Sequence, residues 1–235
     1  MKKIFVLLFA GAQIINGYCQ DSKMYFNSGN TKDDLHDYKG SIEDYTKAVQ
    51  IKPDYAEAYY NRGIVKAEVQ DYKGAIEDYT IVIKFSYKYV DAYYNRGIAK
   101  IKLQDYIGAI ADFNKVLEIS PKYVDAYFNR GHAKADLQDY RGAIVDYTNV
   151  IKINPNDAQA YYNRGHAKTE LKEYRAAISD FNKAIEILPN YQKAYNTRGI
   201  AKLNIGEKES GCLDLSKAGE LGDVDSYELI KKYCN

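Results

Sequence analysis

The chain has no tryptophan, three cysteines, three histidines, two methionines and four prolines in 235 residues. Each shortage closes off a reading. No Cys-x-x-Cys pair is present, nor a phosphate loop or nucleophile elbow, so no catalytic constellation can be assembled from motifs. The charge has no excess of either sign, with 33 Lys+Arg against 32 Asp+Glu. A nucleic-acid-binding chain needs a basic stripe, so nucleic acid is not an expected partner. The 25 tyrosines could stack on bases, but without such a stripe they read as packing and groove lining. Long apolar runs are also missing. The one candidate, Ile4 to Ala10 extended by Ala12, Ile14 and Ile15, is too short to span a bilayer comfortably.

That run follows Lys2 and Lys3 and precedes Gly17 and Cys19, small residues suited to a peptidase site. Residues 1–19 are expected to be a secretory signal peptide cleaved before Gln20. Lipidation of Cys19 is the rival reading, disfavoured by the bulky Tyr18 before it. Cleavage removes two lysines and no acid, taking the formal charge from +1 to −1. The mature chain is therefore expected to be exported, to the periplasm, the outer membrane or the medium, without inserting into the membrane. Export also leaves Cys212 and Cys234 where disulfides persist.

What the chain has in abundance is repetition. Ala92-Tyr-Tyr-Asn-Arg-Gly97 recurs at Ala58–Gly63, Ala126–Gly131 and Ala160–Gly165, with looser copies at Ala194–Gly199 and Met24–Gly29, always 34 residues apart. A fixed period in this range marks a stacked repeat array. Inside one period Ala109, Ile110, Phe113, Val116 and Leu117 fall on one helical stripe. A second helix runs from Val90 to Leu103, and Gln104-Asp105-Tyr106 reads as a polar turn between them. All four prolines, Pro53, Pro121, Pro155 and Pro189, close a period, where proline ends one helix and starts the next. Each unit is thus helix A, tight turn, helix B, proline turn.

This pattern resembles the tetratricopeptide repeat family. Tyr127, Gly131, Ala143, Tyr147 and Pro155 carry its signature. Tyr59, Gly63, Ala75 and Tyr79 repeat it, with Tyr87 in place of the proline. The resemblance implies an all-α right-handed superhelical solenoid. The expected organisation is six repeats within residues 20–221 (about 24–57, 58–91, 92–125, 126–159, 160–193 and 194–221) and a capping helix in 222–235. Gly222 should stop the last B helix, and Asp225 should cap a final helix from Ser226 to about Tyr233. Cys212 and Cys234 flank that turn at equal distances and are expected to form a disulfide. The Gly at position 29 and its equivalents should let helix A approach helix B opposite Ser41, Ala75, Ala109, Ala143, Ala177 and Gly211.

Two departures from the family pattern stand out. Arg replaces the usual Leu before the Gly, at Arg62, Arg96, Arg130, Arg164 and Arg198. Lys replaces an aromatic three residues after it, as at Lys66 and Lys100. Helix B carries a matching acid in each unit, including Asp78, Asp112, Asp146 and Asp180. The Arg and Asp series are expected to form a ladder of ion pairs that fixes the stacking register. The competing reading is a basic groove facing a ligand.

The resemblance assigns the concave face to the A helices. Tyr60, Tyr94, Phe128 and Tyr162 line up along it beside Asn61, Asn95, Asn129 and Asn163. A side-chain amide both donates and accepts, and similar Asn ladders clamp extended peptides elsewhere in the family. An alternative for this column is a structural bond between helices. The family's grip on a C-terminal carboxylate uses Lys and Asn where this chain has aromatics and Ile or His, so that mode is not expected. His132 and His166 are one period apart on the same face, without further ligands to make a metal site. The expected function is a non-enzymatic scaffold, without cofactor or metal, that holds a polypeptide segment. The alternative is a self-associating component, a homo-oligomer built through the convex face or the array ends.

Overall fold

The computed structural model describes residues 20–86 and 88–234. The expected signal peptide, Cys19 and the Tyr87 substitution lie outside the described residues. All regular structure among them is helical, and none of these helices is long and apolar enough to cross a membrane.

The chain divides into two units after Ile119. The first holds α1 (20–34), α2 (Tyr38–Ile51), α3 (Ala56–Glu68), α4 (Tyr72–Phe85), α5 (Val90–Lys102) and α6 (Tyr106–Ile119). The second holds α7 (Val124–Asp136), α8 (Tyr140–Ile153), α9 (Ala158–Glu170), α10 (Tyr174–Ile187), α11 (Gln192–Asn204), α12 (Lys208–Glu220) and α13 (Asp225–Tyr233). Odd-numbered helices up to α11 are A helices and even-numbered ones are B helices. Within each unit every helix packs on the next, and A helices also meet across one repeat, α3 on α5 and α9 on α11. The all-α tetratricopeptide fold class expected from the period is the one observed. The A helices start two residues ahead of the expected repeat boundaries, at Ala56, Val90, Val124, Ala158 and Gln192.

The turn from A to B is one residue off its expected position, because Tyr106 already opens α6. The turn residue is left-handed in every repeat: His36, Gln70, Gln104, Gln138 and Lys172 have φ of 59° to 63°, and Gly206 has φ 85°. Gln70 N–H donates to Ala67 O at 3.0 Å and Asp71 N–H to Lys66 O at 2.8 Å, the pair of bonds that closes a Schellman end. The following Asp then caps helix B. Gly74 N–H donates to Asp71 Oδ1 at 3.0 Å and Gly142 N–H to Asp139 Oδ1 at 2.9 Å.

The A–B contact differs from the expected one. A Cβ at Gly63 would lie 2.8 Å from the Tyr79 ring, and one at Gly131 2.9 Å from the Tyr147 ring. The Gly therefore makes room for the B-helix aromatic, four residues beyond the small residue. Only in the last repeat, where Leu215 replaces the ring, does Gly199 meet the backbone of Gly211, at 2.9 Å. These rings are the core of each repeat. Tyr79 is buried with Ala75, Val82 and the next repeat's Ala92, and Tyr147 with Ala143 and Ala167. Burying an aromatic of this size contributes about 1.5–3 kcal/mol.

At the C-terminus Gly222 follows α12 with φ 98°. Asp225 does not cap the last helix. Val224 takes the cap position without a side-chain bond, and Asp225 is the first helical residue. The neighbouring Asp223 is used instead, accepting from the Ser226 hydroxyl and from Asn196 Nδ2, the latter at 2.5 Å. Cys212 and Cys234 are joined as a disulfide, Cα to Cα 5.8 Å.

Candidate functional site

The Arg and Asp series meet within each repeat. Arg62 Nε and Nη2 donate to the two oxygens of Asp78 at 2.9 and 2.7 Å. Arg96–Asp112, Arg130–Asp146, Arg164–Asp180 and Arg198–Asp214 repeat this fork. The Lys series joins it: Lys66 is 2.9 Å from Asp78, and Lys100, Lys134, Lys168 and Lys202 pair in the same way. Each of these carboxylates lies under two cations and is nearly inaccessible. The basic-groove reading fails here, because these Arg and Lys side chains are turned onto buried acids. In the first repeat, which lacks the Arg, Lys32 and the Ser28 hydroxyl serve Asp44 at 2.6 and 2.7 Å. The ion pair itself stays inside one repeat. The link to the preceding repeat is the third guanidinium nitrogen, Arg62 Nη1 to Thr46 Oγ1 at 2.9 Å and Arg164 Nη1 to Thr148 Oγ1 at 3.1 Å. Thr46, Thr80, Thr148 and Asn182 share one position per period, and that periodicity was the available signal for their role. The face of each Arg covers the A-helix tyrosine three residues before it, Arg62 over Tyr59 at 5.3 Å.

On the A-helix face the aromatic column is half-buried. Each ring leans on a buried B-helix ring, Tyr60 on Tyr79, Tyr94 on Phe113 and Phe128 on Tyr147 at 5.9 Å, and Tyr162 on Phe181 at 6.0 Å. A second aromatic, invisible to the motif, stacks from the start of the next A helix. Tyr89 lies 5.0 Å from Tyr60, and Tyr191 5.0 Å from Tyr162. Burial pushes the Tyr191 phenol up to about 12.

Three members of the Asn column bind between repeats. Asn61 Nδ2 donates to Asn30 Oδ1 at 3.0 Å, and Asn95 Nδ2 to the Tyr60 hydroxyl at 3.0 Å. Asn163 Nδ2 lies 3.2 Å from His132 Nε2. Asn129 Nδ2 donates to the Asp125 carbonyl of its own helix at 2.8 Å. In the last repeat Asn196 takes the aromatic's place and reaches the α13 cap.

His132 and His166 line one notch between α7 and α9, of about 450 Å³, with Tyr147, Tyr162 and Asn163. Burial holds the His132 imidazole below its ordinary value, against the pull of Asp136. The equivalent notch in the first unit, about 320 Å³, has Ile64 and Ile98 in the histidine positions. Among the described residues no cluster of three or more His, Cys, Asp or Glu could hold a metal ion.

Comparison with known proteins agrees with this geometry. Models of the tetratricopeptide repeat match residues 90–123 and 158–191, and a second TPR repeat model matches 29–70 and 131–171. No curated protein matches the chain. Among solved structures, MamA is 24% identical over 74% of this chain and 95% of its own, with a TM-score of 0.70. YrrB, described as a TPR protein with an unusual peptide-binding site, is 23% identical over 80% of this chain and 96% of its own, TM-score 0.71. The C-terminal part of a TPR repeat-containing protein from Cytophaga hutchinsonii is 20% identical over 83% and 78%, TM-score 0.74. The fold is that of a general scaffold for protein–protein contact. With its 34-residue period, its helix pairs and these matches together, the chain belongs to the tetratricopeptide repeat family.

Proposed function

We propose that the A-helix face holds an extended polypeptide segment, in a protein exported from the cell and acting as a scaffold without catalysis. The observation that carries this reading is the column of half-buried rings at Tyr60, Tyr94, Phe128 and Tyr162. Such rings offer a bound chain apolar area at low entropic cost. The Asn column has a narrower part than a full clamp. The Nδ2 groups of Asn61, Asn95 and Asn163 hold neighbouring repeats, which leaves the side-chain carbonyls of Asn95 and Asn163 to accept from a peptide N–H. The likeness to YrrB, itself described with a peptide-binding site, is consistent with this use of the fold.

The test is photo-crosslinking in the native envelope with a crosslinker at position 94, against a control at Lys115 on the far face of α6. A distinct protein captured at 94 and not at 115 supports the groove. Loss of that capture in Asn95→Ala/Asn129→Ala, with the melting temperature little changed, assigns the Asn column to binding. Capture at 115 alone removes the proposal. N-terminal sequencing of the exported protein tests the export reading, which fails on an intact Met1.

Self-association is the second reading, favoured by large apolar side chains left open on B helices. Ile107 is 74% exposed and Leu213 72%. Sedimentation at two concentrations separates it from the first reading.

A further inference from the structure

Each half-buried ring of the A-helix face shares a helical stripe with the residue three before it and the residue eight after it. These two flanks lie about three turns and 16 Å apart. On α3 they are Glu57 and Glu68 around Tyr60, and on α7 Asp125 and Asp136 around Phe128. On α5 Asp91 precedes Tyr94 and Lys102 follows it. On α9 Gln159 precedes Tyr162 and Glu170 follows it, and on α1 Lys23 and Asp34 flank Phe26. On α11 Asn196 stands in place of the ring, between Lys193 and Asn204. Ring and acids are thus lost together in the helix whose stripe is tied to the C-terminal cap.

Glu57, Glu68, Asp91, Asp125, Asp136 and Glu170 are all exposed, and none makes an ion pair among the described residues. The A-helix cations that could neutralise them are committed inward, Arg62 and Lys66 to Asp78, and Arg130 and Lys134 to Asp146. Acids on the B helices fare differently. Glu118, Glu186 and Glu220 each pair with a lysine three residues earlier. In the first unit both edges of the rings feel the acids. Tyr89, which stacks on Tyr60, has its phenol held up by burial and then by Asp91 and Glu57. At the other edge burial, then Asp34 and Glu68, hold the Asp33 carboxyl above its usual range. Glu68 borders the notch of that unit and Asp136 the notch between α7 and α9.

An extended segment laid over the rings therefore has carboxylates on either side. An acidic segment brings like charge to both edges. A neutral one covers the rings and gains nothing beyond them. Lysine and arginine use both, since the methylene stem packs on a ring while the charged head reaches a carboxylate. A cation over a ring face adds an attraction of its own. We propose that the A-helix face of each unit docks a lysine- or arginine-rich polypeptide segment. This rests on the reading of that face as a peptide groove and supplies it with a charge preference.

The test titrates three fluorescent peptides of one design into the whole chain and follows anisotropy. One repeats lysine, valine and glycine, and the others carry glutamine or glutamate in place of lysine. The lysine peptide is expected to bind several-fold more tightly than the glutamine peptide, and the glutamate peptide to bind least. Raising salt from about 0.05 M to about 0.5 M should erase most of that difference, because the acids are exposed. Glu57→Gln/Glu68→Gln/Asp125→Asn/Asp136→Asn should weaken the lysine peptide roughly tenfold, a modest share for each exposed pair. These side chains hold nothing in the fold, so the melting temperature should change little. Glu43→Gln/Glu77→Gln/Glu118→Gln/Glu186→Gln makes the same charge change on the B helices and should leave binding unaltered. Equal affinity for the lysine and glutamine peptides, or an equal loss in both variants, removes the charge preference and spares the groove. So does a client crosslinked at position 94 through an acidic segment. No saturation by any peptide at millimolar concentration removes both. If sedimentation shows self-association that the A-helix variant alone abolishes, a second copy occupies the face and the proposal falls.

Discussion

At the scale of single residues the least replaceable groups are the buried acids. Asp180 lies under Arg164 and Lys168, its side chain 5% exposed. Removing one cation leaves a carboxylate out of water with half its compensation, whereas removing the whole triad leaves no buried charge. Arg164→Met is therefore expected to cost about 3 kcal/mol in urea unfolding. The triple variant Arg164→Met/Lys168→Met/Asp180→Leu should recover most of that loss. Equal loss in both would show that the triad acts through packing alone. His132 gives a pH dependence of definite sign. Its folded-state value is lowered by burial, so between that value and the ordinary one the unfolded chain binds the extra proton. Stability should be level above the ordinary histidine range and fall as pH drops through it. Thermal melts at pH 7 and pH 5 check this. His132→Ile, the residue used at positions 64, 98 and 200, should lose that part of the decline. No difference between wild type and variant would mean the imidazole is not desolvated in the fold.

At the scale of elements, helix starts and glycines are coupled. Where the B helix is capped by Asp, the residue three further on is Gly40, Gly74, Gly108 or Gly142. A Cβ there would collide with the capping carboxylate. In α10 the cap is Glu173, which makes no side-chain bond, and the partner position is Ala176. A longer acid cannot fold back onto the N–H, so the glycine is not needed. Glu173→Asp alone should gain little, and Ala176→Gly alone should lose about 1 kcal/mol. Together they should restore a cap worth about 1 kcal/mol, so the two substitutions couple in a double-mutant cycle of chemical denaturation. Simple additivity would sink this account. The period made the A and B helices legible in advance. Their start positions were not, because capping depends on which residue ends up half outside the helix. The turn residue shows the same limit. Gln70 and Gln104 adopt a left-handed conformation with no glycine to announce it, imposed by the pair of backbone bonds that ends helix A.

At the scale of the whole molecule, stability is a chain of nearest-neighbour terms, and the C-terminal end is secured by means of its own. The disulfide closes a separation of 22 residues, and Asn196 ties α11 to Asp223 and Ser226 in the cap. Replacing both cysteines by serine should cost about 3 kcal/mol by chain entropy, and the cost should be local. Hydrogen exchange is expected to quicken in α11 to α13 while α2 to α4 keep their protection. Uniform loss of protection would contradict a nearest-neighbour molecule.

Much was settled by the amino-acid sequence. The 34-residue period and the two helical stripes inside it made the helix pairs readable, the motif residues carried the family resemblance, and matched spacing made the Arg–Asp partnership legible. What spacing cannot state is direction. The tertiary structure decided that the glycines clear space for the B-helix rings and that the lysines turn onto the same acids as the arginines. It also turned the Nδ2 groups of Asn61, Asn95 and Asn163 toward side chains of the neighbouring repeat, and that of Asn129 onto its own helix. These are outcomes of how two helices approach, and each depends on the residue across the contact as much as on the residue itself.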